Sequence, residues 1–250
     1  MIVGLNVTSI DQHRHFFVDT LGGTPVGGRS GSQAIIRFPR ALIVLRQQAP
    51  TGGTKGTTVN HFAFGVPDIR ETVAAVRAAG YPIVTRAEVA PTQDVKDGLA
   101  YMADQETDIA YTMAPDETKV EFIEIRTQPA AIDLHHVHFA TPDVAAMKAW
   151  YVDVFDAVPG RRGRFEAADL AGVNLSYSPA AAAVVGTRGR SLDHIGFEVK
   201  GLEAFRRKLD AMAIPLDEPL TRVSALNTEA VFITDPWGTY IGVTEGLDRR

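Results

Sequence analysis

The sequence predicts an α+β fold built from four repeats of one strand–helix–strand unit, which we call modules 1 to 4. Each repeat reads as an alternating strand, a polar turn and a helix of about three turns. The repeats begin at Ile2, Asn60, His135 and Asp193. Further strands follow each helix as hairpins, which is typical of an α+β fold and not of a doubly wound one.

The opening strand of each module alternates between a bulky face and a smaller or polar face. In module 3, Val137 and Phe139 alternate with His136 and His138. Side chains two residues apart lie on the same side of a sheet. We therefore expect the bulky faces to pack under the helices and the other faces to line a cavity.

Capping signals predict where the helices begin. Ser9 and Gln12 have capping-box spacing, and Asp68 and Asp143 each follow a proline at a helix start. Two shorter strands are predicted after each helix, at residues 33–38 and 41–46, 107–113 and 118–125, 164–169 and 172–178, and 228–234 and 239–245.

Two long linkers, residues 47–58 and 178–191, suggest how the modules are grouped. They are rich in small residues and look like connections inside a pair, because they have room to cross a cavity. Residues 127–133 separate the two halves. The prediction is an N-terminal domain, 1–128, with modules 1 and 2, and a C-terminal domain, 132–250, with modules 3 and 4.

The amino-acid composition limits which functions and which metal ligands are expected. The 250 residues carry a formal charge of −5, which argues against a general nucleic-acid surface. Cysteine is absent, so disulfides, thiolate nucleophiles and zinc–thiolate sites are excluded. No apolar run approaches membrane-spanning length, and a cytoplasmic protein without a membrane partner is expected. Any metal ligands must be His, Asp or Glu.

Two segments, SLDHIGFEV (191–199) and FITDPWGTYIGVTEGL (232–247), resemble the first and last strands of a module of the vicinal-oxygen-chelate superfamily, which includes glyoxalases, bleomycin-resistance proteins and extradiol dioxygenases. The resemblance extends over essentially the whole chain. It implies four βαβββ modules forming two paired half-barrel domains, with metal ligands on the first and last strands of each module.

The resemblance also assigns ligand positions. The first-strand slots are Ile2, His61, His136 and His194, and the last-strand slots are Val44, Glu121, Asn174 or Ser176, and Gly242. Ile2, Val44 and Gly242 depart from the family pattern, because their side chains cannot bind a metal.

Strand parity gives the C-terminal half a polar inner face, which would be costly to bury without water, metal or ligand. Its residues are His136, His138, Asn174, Ser176, His194, Glu198, Tyr240 and Thr244. His136 and His194 are the expected ligands of one divalent ion, of Fe, Mn, Zn, Co or Ni.

The other inner-face residues receive expected roles around that ion. Glu198 is a third ligand or a general base, and His138 or Tyr240 exchanges a proton with the substrate. Asn174, Ser176 and Thr244 contact the substrate. Water or a substrate oxygen in place of the missing acid, and no metal at all, are the open alternatives to Glu198 as a ligand.

Two further alternatives stay open at this stage. Four-module members of the family can pair module 2 with module 3, which would bring His61, Glu121 and His136 together as a complete ligand set. The basic cluster Arg161, Arg162 and Arg164 is interpreted as a solvated turn, with attraction of an anionic substrate as the alternative.

Two functions fit these observations. One is a metal-dependent enzyme acting on a small oxygen-rich substrate, as a glyoxalase-like isomerase or lyase or as a ring-cleaving dioxygenase. The other is a metal-free protein of the bleomycin-resistance type that sequesters a small molecule. The histidines favour the enzyme and the lost ligands favour sequestration. A monomer or homodimer is expected in either case.

Overall fold

The computed structural model describes residues 1–223 and 228–247, except the side chains of residues 28–30. Over these ranges each module has an opening strand, a helix and three further strands, as the resemblance implies. Modules 1 and 2 comprise β1 (Ile2–Val7), α1 (Ile10–Arg14) with a π-helical turn (His15–Thr20), β2 (Thr24–Ser30), β3 (Gln33–Phe38) and β4 (Ala41–Gln47), then β5 (Val59–Val66), α2 (Ile69–Ala78), α3 (Thr85–Glu88), β6 (Ala100–Met102), β7 (Thr107–Ala114) and β8 (Thr118–Glu124). Modules 3 and 4 comprise β9 (Asp133–Thr141), α4 (Val144–Phe155), β10 (Val158–Arg162), β11 (Phe165–Leu170) and β12 (Val173–Pro179), then β13 (Leu192–Glu198), α5 (Leu202–Ala211), β14 (Glu218–Val223), β15 (Thr228–Thr234) and β16 (Tyr240–Thr244).

The helices of modules 1 to 3 begin where the capping signals predict. The side chains of Ser9, Asp68 and Asp143 each accept a hydrogen bond from a backbone N–H of the first helical turn. Each cap satisfies a donor that has no partner inside the helix. Within the described ranges no helix has the length and apolarity needed to cross a bilayer.

The strands form two curled eight-stranded sheets. Their orders are β14-β15-β16-β13-β1-β4-β3-β2 and β10-β11-β12-β9-β5-β8-β7-β6. Module 1 therefore pairs with module 4, through antiparallel β1 and β13, and module 2 pairs with module 3, through antiparallel β5 and β9. The predicted pairing of neighbouring modules, with domains 1–128 and 132–250, is wrong.

The two linkers explain why the predicted pairing of neighbouring modules is wrong. They pair with each other: Thr57 forms a parallel bridge with Val185, and the Thr51 amide donates to the Gly189 carbonyl at 2.8 Å. Each linker carries the chain from one sheet to the other, which requires the length that was attributed to crossing a cavity. The shorter connection from β8 to β9 joins two modules of the same sheet.

One core lies between the two sheets. The bulky strand faces pack under the helices as predicted, and a single cluster of buried apolar residues includes both sheets. Phe17 of module 1 stacks on Phe62 of module 2 at 6.4 Å between ring centroids, and Phe155 of module 3 contacts Phe197 of module 4 at 4.9 Å. The inner faces of the two curled sheets remain as two separate hollows.

Candidate metal centre

The two hollows are related position by position. We call the hollow of modules 2 and 3 the central cup and that of modules 1 and 4 the terminal cup. The registers match: Ala63 lies beside His136 and Glu121, as Gly4 lies beside His194 and Val44. The equivalent ligand slots are His61, Glu121, His136 and Ser176 in the central cup, and Ile2, Val44, His194 and Gly242 in the terminal cup.

His136 and His194, expected to bind one ion, lie in different sheets. The expectation of a shared ion is therefore wrong, because it depended on pairing modules 3 and 4. His194 retains its slot in the terminal cup, where the other three slots hold Ile2, Val44 and Gly242. The alternative ligand set His61, Glu121 and His136 is the one that the structure brings together.

Three side chains converge at the centre of the central cup. One carboxylate oxygen of Glu121, Oε2, lies 2.9 Å from His61 Nε2 and 3.0 Å from His136 Nε2. All three side chains are buried, with at most 4% exposed. His138 adds a further imidazole, and one nitrogen each of His61, His136 and His138 lie within 4.8 Å of one another.

The protons available at this point are too few for hydrogen bonds alone. His61 Nδ1 lies 2.8 Å from Asn60 Oδ1, an acceptor, so Nδ1 carries the proton of the neutral ring and Nε2 presents a lone pair. His136 Nε2 accepts from Arg162 Nη2 at 3.0 Å. His61 Nε2 and Glu121 Oε2 therefore face each other without a proton between them, and a cation is the partner that fits this pair. A metal bound here would take the place of Arg162 at the lone pair of His136 Nε2.

The protonation states agree with metal binding. Burial lowers the pKa of His61, His136 and His138, so these imidazoles are neutral near pH 7. The pKa of Glu121 lies well below its usual value although burial alone would raise it, so its carboxylate is ionised near pH 7. Neutral imidazole and ionised carboxylate are the forms that bind divalent ions.

A guanidinium occupies the side of the cup where the fourth slot lies. Arg162 Nε donates to Ser176 Oγ at 2.9 Å, and Ser176 Oγ donates to Asn174 Oδ1 at 2.7 Å. Arg162 was interpreted as part of a solvated turn, and that interpretation is wrong for this residue. Arg161, by contrast, is exposed and pairs with Glu166. The parity of β10, which alternates outward and inward side chains, is the signal that could have separated the two arginines.

Tyr111 and His138 complete the wall around His61. The Tyr111 ring lies 5.2 Å from that of His61, and burial and the charge of Glu121 raise its pKa well above the ordinary value. Sequence reasoning did not select Tyr111, although the predicted hairpin places it opposite Glu121. His138 stacks on His61 at 4.8 Å, and its Nε2 pairs with Ser178 Oγ at 2.9 Å.

Glu198, Tyr240 and Thr244 lie with modules 1 and 4, so their expected roles around His136 are wrong. Glu198 Oε1 accepts from the amides of residues 246 and 247 at 2.8 and 2.6 Å, and it thereby holds the chain after β16. The Tyr240 hydroxyl donates to Glu218 at 2.9 Å. Thr244 lines the terminal cup.

Comparison with known proteins supports the same fold. Residues 133–243 match the model of the Glyoxalase/Bleomycin resistance protein/Dioxygenase superfamily. The comparison with curated protein sequences gave no match. Glyoxalase I from Zea mays has a TM-score of 0.70 and 15% identity, over 98% of this chain and 91% of that one.

A protein from Bacillus subtilis described as a dioxygenase has a TM-score of 0.69 and 11% identity, over 98% of this chain and 84% of its own. Identities this low indicate a shared fold and do not select a reaction. Residues 133–243 are thus similar in sequence to the glyoxalase/bleomycin resistance protein/dioxygenase superfamily, and the whole chain shares the fold of the two solved structures.

Proposed function

We propose that the protein is a divalent-metal-dependent enzyme that binds a small oxygen-rich substrate in the central cup. His61, Glu121 and His136 would hold the ion. The observation that carries this proposal is the buried convergence of His61 Nε2 and His136 Nε2 on Glu121 Oε2, at 2.9 and 3.0 Å, with no proton left for the contact between His61 and Glu121. Two imidazoles and one carboxylate leave open positions for substrate oxygens.

The side chains around the donor set suit an anionic or polarised substrate oxygen. When bound, a divalent ion polarises adjacent substrate oxygens and stabilises negative charge on them. The Arg162 guanidinium would donate hydrogen bonds to the same substrate oxygens, and its hydrogen bond to the Ser176 hydroxyl fixes its orientation. A glyoxalase-like isomerase or lyase and a ring-cleaving dioxygenase both need this binding of neighbouring oxygens.

Two residues are suited to proton transfer in the cup. His138 is neutral because burial lowers its pKa, so it is able to accept a proton from a substrate carbon or hydroxyl. Tyr111 keeps its proton because its pKa is raised, so it donates a hydrogen bond near Glu121. This pair favours the isomerase or lyase reaction, whereas oxygen consumption measured with an electrode would favour the dioxygenase.

Hydrogen bonds join two turns of different modules beside Arg162 of the central cup. Arg162 Nη1 donates to Gln105 Oε1 at 2.5 Å, and the Arg164 amide donates to Asp104 at 2.7 Å. These contacts join the β6–β7 turn of module 2 to the β10–β11 turn of module 3. They hold the Arg162 guanidinium in place beside His136.

Metal content in matched variants tests the proposal. Protein stripped with a chelator, reloaded separately with Fe, Mn, Zn, Co or Ni and dialysed should retain one ion per chain with at least one of these metals. His61→Ala and His136→Ala should each lose it. His194→Ala is the matched control, because it removes an imidazole from the equivalent slot of the other cup, and it should retain the ion. Wild-type protein that retains none of the five metals would refute the proposal.

A further inference from the structure

The terminal cup contains a cavity of about 370 Å³. Small-molecule pockets generally span about 300–1,000 Å³, so this cavity is large enough for a small organic ligand. It lies on the inner face of β1, β4, β13 and β16, where the central cup holds its candidate metal ligands. No metal-binding set of three side chains is found there among the described residues.

Apolar side chains and glycines shape the cavity. Ile2, Val44 and Phe232 line it, in part at positions where ligands would otherwise lie. A Cβ at Gly4 would overlap the His194 ring, and one at Gly242 would lie 3.0 Å from the Phe232 ring. The glycines therefore leave room for the His194 ring and for an apolar ligand body beside it.

The charged groups around the cavity balance. Two acidic side chains, Asp193 and Glu218, face two basic ones, Arg46 and Arg222. Glu218 also pairs with Arg188 at 2.8 Å, from outside the cavity lining. Among the side chains that line the cavity itself neither sign of charge is in excess, so an uncharged ligand is favoured.

A hydrogen-bonded chain orients His194. Its Nδ1 donates to Asp193 Oδ2 at 2.9 Å, and Asp193 Oδ1 accepts from Asn6 Nδ2 at 3.0 Å. Asn6 Oδ1 in turn accepts from Arg46 Nε at 3.1 Å. In the neutral ring Nε2 is therefore an acceptor, and it makes no hydrogen bond to any residue in the described part of the chain.

We infer that the terminal cup is a second binding site, independent of metal, for a small uncharged molecule with an apolar body and a hydroxyl group. The hydroxyl donates to His194 Nε2, and the apolar body contacts Ile2, Val44 and Phe232. This inference does not rest on the proposed function, because it uses no residue of the central cup.

Phenol is the simplest probe with these features, and toluene and benzoate are its matched controls. Binding to chelator-treated protein is measured by NMR titration. Phenol should saturate a single site, and toluene, which lacks the hydroxyl, should bind about tenfold more weakly. Benzoate, which carries a charge, should also bind more weakly than phenol.

Variants locate the bound phenol. Val44→Phe should abolish binding by filling the cavity, and His194→Phe should weaken it about tenfold by removing the acceptor while keeping a ring. His61→Ala, in the central cup, should leave the affinity unchanged. Thermal unfolding of each variant verifies that it folds, and His194→Phe remains a test if Val44→Phe does not.

Three outcomes would overturn the inference: no saturation by phenol, equal affinity for phenol and toluene, or loss of binding in His61→Ala. None of them bears on metal retention by the central cup. The two cups are therefore tested separately.

Discussion

The central and terminal cups are built from equivalent strands with the same register and curl, and they differ in the side chains at equivalent slots. His61, Glu121 and Ser176 of the central cup correspond to Ile2, Val44 and Gly242 of the terminal cup. The sheet keeps its shape without a ligand set, because its backbone hydrogen bonds and the apolar core behind it hold the strands. Chemistry in this fold depends on a few side chains that can change while the architecture stays.

The imidazoles in the ligand slots are oriented alike in the two cups, and the side chains around them differ. In each case the side chain of the preceding residue contacts Nδ1: Asn60 for His61 at 2.8 Å, His135 for His136 at 2.8 Å and Asp193 for His194 at 2.9 Å. Such a contact fixes the ring and leaves Nε2 to face the cup. His194 is therefore held as a metal-binding histidine is, although it lacks co-ligands.

Restoring two ligands in the terminal cup should have the largest effect. The double variant Ile2→His with Val44→Glu recreates the positions of His61 and Glu121 around the existing His194. We expect metal content to rise from one to two ions per chain, because the slots are equivalent in register. Elemental analysis of the dialysed protein measures it.

The control for this experiment removes the central site. The double variant combined with His61→Ala should retain one ion, and adding His194→Ala should remove it. A double variant that folds and still retains a single ion would contradict the equivalence of the two cups.

Truncating Phe17 should have the next largest effect, a loss of stability. It tests whether the two sheets unfold together. Phe17 is buried in module 1 and stacks on Phe62 of module 2. Phe17→Ala leaves a cavity in the shared core and should lower the free energy of unfolding by about 3–5 kcal/mol. Urea denaturation should show one transition shifted as a whole. Two transitions, with only one displaced, would mean that the sheets are independent domains.

The faces of the strands could be predicted from the sequence, but the pairing of the modules could not. Strand parity correctly placed His61, Glu121 and His136 on inner faces, because alternation is a local property of a strand. It could not say which module lies beside which, because edges that pair over long separations leave no local pattern. Linker length indicated the wrong pairing, since a long linker serves equally to cross a cup or to pass between sheets.

Arg162 and Glu198 show the same limit at the level of single residues. Arg162 belongs to an unpredicted strand in an arginine-rich segment, so composition gave it the same interpretation as Arg161. Glu198 has the parity of an inner residue but lies at the end of β13, where backbone amides after β16 bind its carboxylate. Strand parity predicts on which face of the sheet a side chain lies, but not how far along the strand, and so how deep in the cup, it lies.

The pH dependence of stability should show the burial of His138. Its folded-state pKa lies below the unfolded value of about 6.5, so the unfolded chain takes up the proton first as pH falls. The stability contribution is therefore complete above about pH 6.5 and declines below it, by at most about 1.4 kcal/mol per pH unit. In metal-free protein, His138→Phe should flatten the fall in urea stability between pH 6.5 and 5.5. Parallel curves for the two proteins would show that His138 does not titrate this way.

Removing the Tyr240 hydroxyl should have the smallest effect. Tyr240 donates to Glu218 Oε1 at 2.9 Å, but Arg188 binds the same oxygen at 2.8 Å, so Glu218 keeps a partner in Tyr240→Phe. The free energy of unfolding should fall by about 0.5–1.5 kcal/mol, the range of a single net hydrogen bond. Metal content should not change, because Tyr240 lies in the sheet of the terminal cup. A Tyr240→Phe protein that loses its ion would show that the two cups are coupled across the core, and would return Tyr240 to the candidate catalytic residues.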